Sequence, residues 1–339
     1  MVRTIILGAG FAGISAKLAY PEAILIDEKD YITITPRLIE VIERDLPVSY
    51  ALMQRKVDLK AKIIGVDFKD KIVKTTEGNI KFDKLIVALG YEQDISKIKG
   101  AEKYALKFFS LKDIEYIKNL KESSTVTILG GGALGVELAG ALVKRGFKVN
   151  VVEAENRLVP YLSSQFSVEV EKILREQGVQ IILKAKVEEV KEGEIVTTQG
   201  IIKTDYTIFS AGFSGPKIIS YIGLTNKNNR MLVDRSLRSI DYDFVYGAGD
   251  CANFKEGFIP QSAQIALQAG EIAAKNAKGR EIEFKPNQKA IVLKIGDNYV
   301  GEIKGMTIKG PIPALMKSFA LSMLENKVKK VNEIPYLIL

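Results

Sequence analysis

The sequence predicts an α/β protein containing two dinucleotide-binding units, the second inserted into the first. Three observations carry that reading. A phosphate-cradling turn occurs twice: Gly8-Ala9-Gly10-Phe11-Ala12-Gly13 follows the β-rich run Thr4–Leu7, and Gly130-Gly131-Gly132-Ala133-Leu134-Gly135 follows Thr125–Leu129. In each unit the next apolar run ends on a carboxylate, Asp27 at 19 residues from Gly8 and Glu153 at 23 residues from Gly130. Finally, the strand-like Phe244–Ala248 lies far beyond the second turn and fits best as a returning part of the first unit.

The spacing has a physical purpose. The first glycine of such a turn permits the tight reversal, the second lets backbone approach a pyrophosphate, and the third lets helix pack on strand. The helix that follows offers unpaired N–H groups to the phosphates. A carboxylate about 20 residues on meets a ribose 2′-hydroxyl and would repel a 2′-phosphate. The second site is therefore expected to prefer NADH to NADPH.

The remaining elements follow in order. Ala61–Asp67, Lys71–Thr76 and Ile80–Phe82 read as strands, the last two joined by a turn at Glu77-Gly78-Asn79. The continuous apolar run Leu85–Leu89, ending in Gly90, predicts a buried parallel strand. The stretch after Asp27 reads as polar and irregular, and 90–106 as a loop leading out of the first unit. Ser110 is placed to cap a helix over 111–121, with Asp113 in its first turn. The apolar spacing Phe166, Val170, Ile173, Leu174 predicts a helix over 164–177, closed by Gly178. Strands are expected over 179–183, 187–190, 194–198 and 205–210. An alanine-rich helix is expected from Gln261 to Lys275, then a hairpin of 290–295 with 299–303, and a helix from Pro313 to about Val328. Each dinucleotide unit is thus a Rossmann-like three-layer arrangement, with a small hairpin-and-helix region at the C-terminus.

Composition excludes several chemistries. The 339 residues suffice for two domains, and 47% hydrophobic with 27% charged residues is the balance of a globular protein. No histidine is present, which removes a Ser-His-Asp triad and any histidine metal site, and no metal site is expected. One cysteine, Cys251, permits neither an internal disulfide nor a C-x-x-C redox pair. A small buried apolar role is the better reading of it. The net charge of +8 is spread in scattered lysines, so a nucleic-acid partner is not expected. No apolar run reaches the roughly 20 residues needed to span a bilayer, and the N-terminus does not read as a signal peptide. A cytoplasmic location is expected.

Together these residues resemble the two-dinucleotide-binding flavoproteins of the pyridine nucleotide-disulfide oxidoreductase superfamily. Within it they look most like type II NADH:quinone oxidoreductases, over a stretch reaching to about Lys327. The resemblance implies FAD at Gly8, Gly10, Phe11, Ala12 and Gly13, with Asp27 on the adenosine ribose. Tyr31-Ile32-Thr33-Ile34-Thr35-Pro36-Arg37-Leu38 is similar to the segment lying along the flavin, with Pro36 retained, Ile32 in place of a histidine and Arg37 in place of a leucine. Val87-Ala88-Leu89-Gly90 resembles an A-T-G block, Ile63 holds the position whose backbone meets the adenine, and Gly249-Asp250 resembles the G-D block that binds the ribityl and phosphate groups.

The resemblance places NADH at Gly130, Gly132, Ala133, Leu134, Gly135, Glu153, Ala211 and Gly212, and puts Glu137 near the nicotinamide and flavin. Pro260-Gln261-Ser262-Ala263-Gln264-Ile265-Ala266-Leu267-Gln268 contains the A-Q-x-A-x-Q pattern of a flavin-side quinone pocket. Gln264 and Gln268, at i and i+4, share one helix face there, and the resemblance puts Ala263 against the flavin. The implied domains are an FAD domain of 1–106 with 237–284, an NADH domain of 107–236 and a C-terminal region of 285–339.

The C-terminal helix carries Leu315, Met316, Phe319, Ala320, Met323 and Leu324 beside Lys317, Lys327, Lys329 and Lys330, so it can rest peripherally on a membrane or pack on a second subunit of a homodimer. The leading expectation is an NADH dehydrogenase passing electrons through FAD to a quinone. A soluble NAD(P)H-dependent reductase of a ferredoxin or rubredoxin is the alternative, and a non-catalytic NADH-sensing or scaffold protein a third.

Overall fold

The computed structural model describes residues 2–337. Two five-stranded parallel sheets organise it. The first runs Val245–Gly247, Lys84–Val87, Thr4–Leu7, Ile24–Asp27, Leu59–Lys60. The second runs Ala105–Lys107, Tyr206–Phe209, Thr125–Leu129, Lys148–Val152, Gln180–Ile182. The late strand Val245–Gly247 therefore returns to the first sheet, in register with Leu85, Ile86 and Val87. Central strands buried on both faces read as unbroken apolar runs, which is why Thr4–Leu7, Lys84–Val87 and Thr125–Leu129 were visible in the sequence.

Each parallel sheet has a small antiparallel companion: Ile63–Asp67, Ile72–Thr75 and Gly78–Lys81 beside the first, Val187–Lys191, Glu194–Thr197 and Gly200–Lys203 beside the second. The same threonine device closes both inner turns. Thr75 Oγ1 donates to Gly78 O at 2.8 Å, and Thr197 Oγ1 donates to Gly200 O at 2.8 Å.

The helices begin at recognisable caps. Ser110 and Asp113 form a capping box on the helix Leu111–Lys118, which ends three residues sooner than expected. Ser163 caps Ser164–Glu176, and Ser262 caps Ala263–Ala277.

Several elements differ from the sequence reading. The stretch after Asp27 is ordered, with a strand at Tyr31–Thr33 and a helix over Thr35–Glu43. The helix buries Leu38, Ile39, Val41 and Ile42, but Pro36 and Arg37 in its first turn interrupt the apolar period. The segment read as a loop over 90–106 holds the short strand Glu92–Gln93, the helical turn Ala101–Tyr104 and the strand Ala105–Lys107, which straddles the expected 106/107 division and pairs in the second sheet. Beyond Phe209 the chain already packs with the first core, through Ile219, Leu224, Met231 and Val233. The C-terminal hairpin gains a third strand, Met306–Lys309.

The C-terminal region joins the two units. Leu293, Ile295 and Val300 enter the second core, whereas Leu324, Val328 and Val331 of the 23-residue helix Pro311–Glu333 enter the first. Gly140 makes the hairpin contact possible, since a Cβ there would lie 2.5 Å from Gly296 N. Among the described residues no helix is long and apolar enough to cross a membrane.

Candidate active site

The first glycine turn is built on close approaches. Gly8 has φ +91°, and a side chain on it would strike the Ala88 carbonyl; one on Gly13 would strike the Gly8 carbonyl. At Gly10 a Cβ would meet nothing within 4 Å, so a pyrophosphate has room to approach the backbone there. Asp27 Oδ2 accepts from Ala9 N–H at 2.7 Å, and Oδ1 accepts from Lys29 N–H at 2.9 Å. Ala61 N–H donates to Asp27 O at 2.9 Å, which draws the 61–63 segment, and Ile63 with it, to this end of the sheet.

Arg55, missed in the sequence, anchors this arrangement. Only 4% exposed, it donates to the carbonyls of Ala9 and Lys29 and lies 3.2 Å from Asp27 Oδ1. Burial depresses the guanidinium pKa, partly offset by Asp27. No motif marks it, because its role depends on a strand pairing, Tyr31–Thr33 with Leu52–Gln54, that brings it under the turn.

Gly249 and Asp250 reach the same turn from the other side. Gly249 has φ +76°, and a Cβ there would come within 2.9 Å of Ala12 Cβ. The first-turn helix Phe11–Ala19 crosses Ala263–Ala277 closely enough that a side chain on Gly270 would strike Ala12 O. Asp250 Oδ1 is buried with no hydrogen-bond partner, and burial, moderated by Arg230, pushes this carboxyl up to about 6. A buried acceptor without a donor is costly; a ribityl hydroxyl is the kind of donor that would satisfy it. Gly10, Asp27 and Asp250 together fit FAD.

Neighbouring Cys251 is fully buried, donates weakly to Val87 O and Ala248 O at 3.3 and 3.4 Å, and is pushed up to about 11 by burial. Such a thiol is inert at neutral pH. Tyr91, just after Gly90, is pushed up to about 12 by burial and by the Asp250 charge; it meets Phe109 and Phe213 edge-on at 5.6 and 5.1 Å.

The second turn repeats the first. Gly130 has φ +115°, a side chain on Gly135 would strike the Gly130 carbonyl, and Gly132 faces open space. Glu153 Oε2 accepts from Gly131 N–H at 2.7 Å, and Oε1 accepts from Glu155 N–H at 2.9 Å. Ser210 Oγ donates to Leu129 O and Gly130 O at 3.1 and 2.9 Å, holding Ala211 and Gly212 against the turn. Ala133 N–H donates to the Tyr161 hydroxyl at 3.2 Å, a contact the sequence did not signal. These features fit a pyrophosphate and an adenosine ribose.

Glu137 sits one turn into the following helix. Its Oε1 accepts from Lys294 N–H at 2.8 Å and pairs with Lys317 of the C-terminal helix. Lys317 therefore points inward, unlike the solvated edge expected of it, and Leu324 is buried as well. Arg37 also reaches that helix, pairing with Glu325. The Gln264–Gln268 face meets the segment after Phe284. Gln268 is engaged at both ends of its amide by the Asn287 backbone, at 2.9 and 3.2 Å, and Gln264 Oε1 accepts from Lys289 N–H at 2.8 Å. The Gln264 amide nitrogen has no hydrogen-bond partner among the described residues.

Known proteins share this design. The chain is 28% identical to a type II NADH:quinone oxidoreductase of Staphylococcus saprophyticus, with 93% of each chain covered. The structure of NDH2 from Plasmodium falciparum in complex with NADH matches with a TM-score of 0.82 and 16% identity, covering 99% of this chain and 100% of that one. The sulfide:quinone oxidoreductase of Aquifex aeolicus matches with a TM-score of 0.83 and 14% identity over 99% and 93%. The pyridine nucleotide-disulphide oxidoreductase model matches residues 2–270. With two glycine turns on two parallel sheets and that match over most of its length, the chain belongs to the pyridine nucleotide-disulphide oxidoreductase family.

Proposed function

We propose that the protein is an NADH dehydrogenase that passes electrons from NADH through FAD to a quinone. The observation that carries this reading is the pair of turns, one backed by the buried, unpartnered Asp250 Oδ1 and the other by a Glu153 that meets no cation among the described residues. When bound, the flavin supplies hydride acceptance from NADH and onward delivery of electrons. The names of the type II relatives support a quinone as acceptor. Disulfide chemistry of the kind the family name mentions is closed to a chain whose one cysteine is buried and weakly acidic.

The chain's residues divide the work. Gly8, Gly10, Gly13, Asp27 and Arg55 hold the first pyrophosphate and ribose, and Asp250 orients the ribityl chain. Gly130, Gly132, Gly135 and Glu153 do the same for NADH. Gln268 fastens the segment after Phe284, and the Gln264 amide nitrogen is left to donate to a quinone carbonyl. Glu137, held by Lys317 and the Lys294 N–H, is assigned to the nicotinamide side of the site. The C-terminal helix exposes Leu315 at 70% and Phe319 at 67%, with Ile312 and Met323 on the same stripe, and carries Lys329 and Lys330 toward its end. An apolar stripe with basic residues suits the interface of an anionic bilayer, so we assign this surface to peripheral membrane contact.

The test is an anaerobic visible spectrum followed by NADH addition, with and without a short-chain quinone. A bound flavin that NADH bleaches and quinone restores supports the proposal. Bleaching without quinone turnover redirects it to a soluble protein acceptor, and no bound flavin overturns it. Gln264→Ala is expected to raise the quinone KM about tenfold, the scale of one lost hydrogen bond, while flavin reduction by NADH is unchanged. Phe319→Glu should abolish sedimentation with anionic vesicles; unaltered sedimentation would remove the membrane assignment.

A further inference from the structure

The chain crosses between the two glycine turns twice, outward at Glu92–Gln93 and back at Phe213–Ser214. The crossings pair antiparallel, Glu92 opposite Ser214 and Gln93 opposite Phe213. They are tightly apposed: Asp94 N–H donates to Gly212 O at 2.9 Å, and a Cβ on Gly212 would lie 2.6 Å from Asp94 O. The Gln93 side chain is 3% exposed. Its Nε2 donates to Phe209 O at 2.6 Å and Ala211 O at 3.1 Å, and its Oε1 accepts from Phe108 N–H at 3.0 Å. All three partners belong to the second sheet or its edge. Just upstream, Ala88 backs the first turn, where its carbonyl blocks any side chain at Gly8.

We infer that Gln93 is a positioning residue for hydride transfer, setting the wall of the second turn relative to the first. The inference rests on the NADH-to-flavin reading above. The mechanical chain is short. Gln93 pins the Ala211 carbonyl; Ala211 Cβ stands 2.8 Å from where a Cβ on Gly130 would be; and Ser210 Oγ holds Gly130 O at 2.9 Å. A shift of Ser210–Gly212 therefore moves the turn that carries NADH. Removing the Gln93 amide leaves two buried carbonyls and one N–H without partners, and the segment must move to satisfy them. Displacement of a reacting centre by about 1 Å can cost on the order of 100-fold in rate. Gln93 touches neither dinucleotide turn directly, so it acts through the 209–212 segment.

Gln93→Met keeps length and loses all three hydrogen bonds. It is expected to retain wild-type flavin absorbance and a wild-type rate of quinone reoxidation after reduction by dithionite. Anaerobic flavin reduction by NADH should slow about 10- to 100-fold, and the NADH Kd, read by fluorescence titration, should rise about tenfold. Gln93→Glu gives a signature that simple loosening of the fold would not. Its carboxyl regains one donor when protonated, so flavin reduction should recover as pH falls, with no such recovery in Gln93→Met. If the Met variant does not fold, the Glu variant carries the test through its pH profile. Wild-type NADH Kd and flavin-reduction rate in the variants would overturn the inference, as would equal losses in flavin content and both half-reactions. Failure of the functional reading is distinguishable, because it appears in the wild type as a flavin that NADH does not bleach.

Discussion

The two glycine turns are near copies held by different means. In each, the residue after the first glycine donates its N–H to the carboxylate that ends the next strand, at 2.7 Å, and the other carboxylate oxygen accepts from the N–H two residues beyond it at 2.9 Å. In each, the third glycine leaves no room for a side chain against the carbonyl of the first. The supports differ. Behind Gly8 stands the Ala88 backbone, and a buried Arg55 ties Asp27 to two carbonyls. Behind Gly130 stand the Ala211 and Ser210 side chains, and Glu153 meets no cation among the described residues. The first turn is thus locked from inside by a charge, whereas the second is held by a hydroxyl and leaves its carboxylate free of a counter-ion. That contrast suits a retained FAD at one and an exchanging NADH at the other.

The largest expected effect breaks the feature the turns share. Gly13→Ala drives a methyl into the Gly8 carbonyl, and overpacking of this kind costs about 3 kcal/mol or more; loss of bound flavin and a lowered Tm would check it. Gly135→Ala should leave the flavin in place and abolish NADH bleaching. Wild-type bleaching by that variant would show that the second turn does not bind NADH.

Next comes the difference between the turns. Arg55→Met strands Asp27 and two carbonyls, with an expected loss of about 3 kcal/mol, a weaker grip on FAD and an unchanged NADH Kd. Urea unfolding and flavin retention on dialysis measure the first two, and a matched weakening of NADH would contradict the division of roles. Glu153→Ala removes the group that repels a 2′-phosphate. The ratio of kcat/KM for NADPH to NADH should rise at least tenfold, and a wild-type enzyme already faster with NADPH would sink this assignment.

A smaller effect concerns Asp250. Its carboxyl keeps a proton up to about pH 6 when folded, against an ordinary value of 3.8. Between those values the folded cofactor-free protein binds more protons than the unfolded one. Its stability contribution is fully present below pH 3.8 and is lost as pH rises through 6. Asp250→Asn should flatten that slope and stabilise the cofactor-free protein at pH 7.5 by about 1–3 kcal/mol, in pH-dependent thermal unfolding. The smallest effect belongs to Gln268→Ala, which releases the Asn287 backbone for about 1 kcal/mol without altering flavin reduction by NADH.

Much of this was legible locally. Both turns, Asp27 and Glu153, and the central strands follow from glycine spacing and continuous apolar runs, because backbone sterics and strand burial act over a few residues. The Ser110–Asp113 box and the Ser262 cap are equally local. The helix Thr35–Glu43 was hidden because its period is broken by Pro36 and by Arg37, whose partner Glu325 lies almost 300 residues away.

What the chain determined by itself was the repeated dinucleotide-binding unit, the absence of histidine and dithiol chemistry, and the order of the central strands in that unit. Tertiary structure alone decided that Arg55 lies under the first turn, that Gln93 reaches the carbonyls beside the second, and that Lys317 turns inward to Glu137. The physical reason is that a buried charge or amide is defined by the partners that satisfy it, and those partners come from strands and helices far apart in sequence.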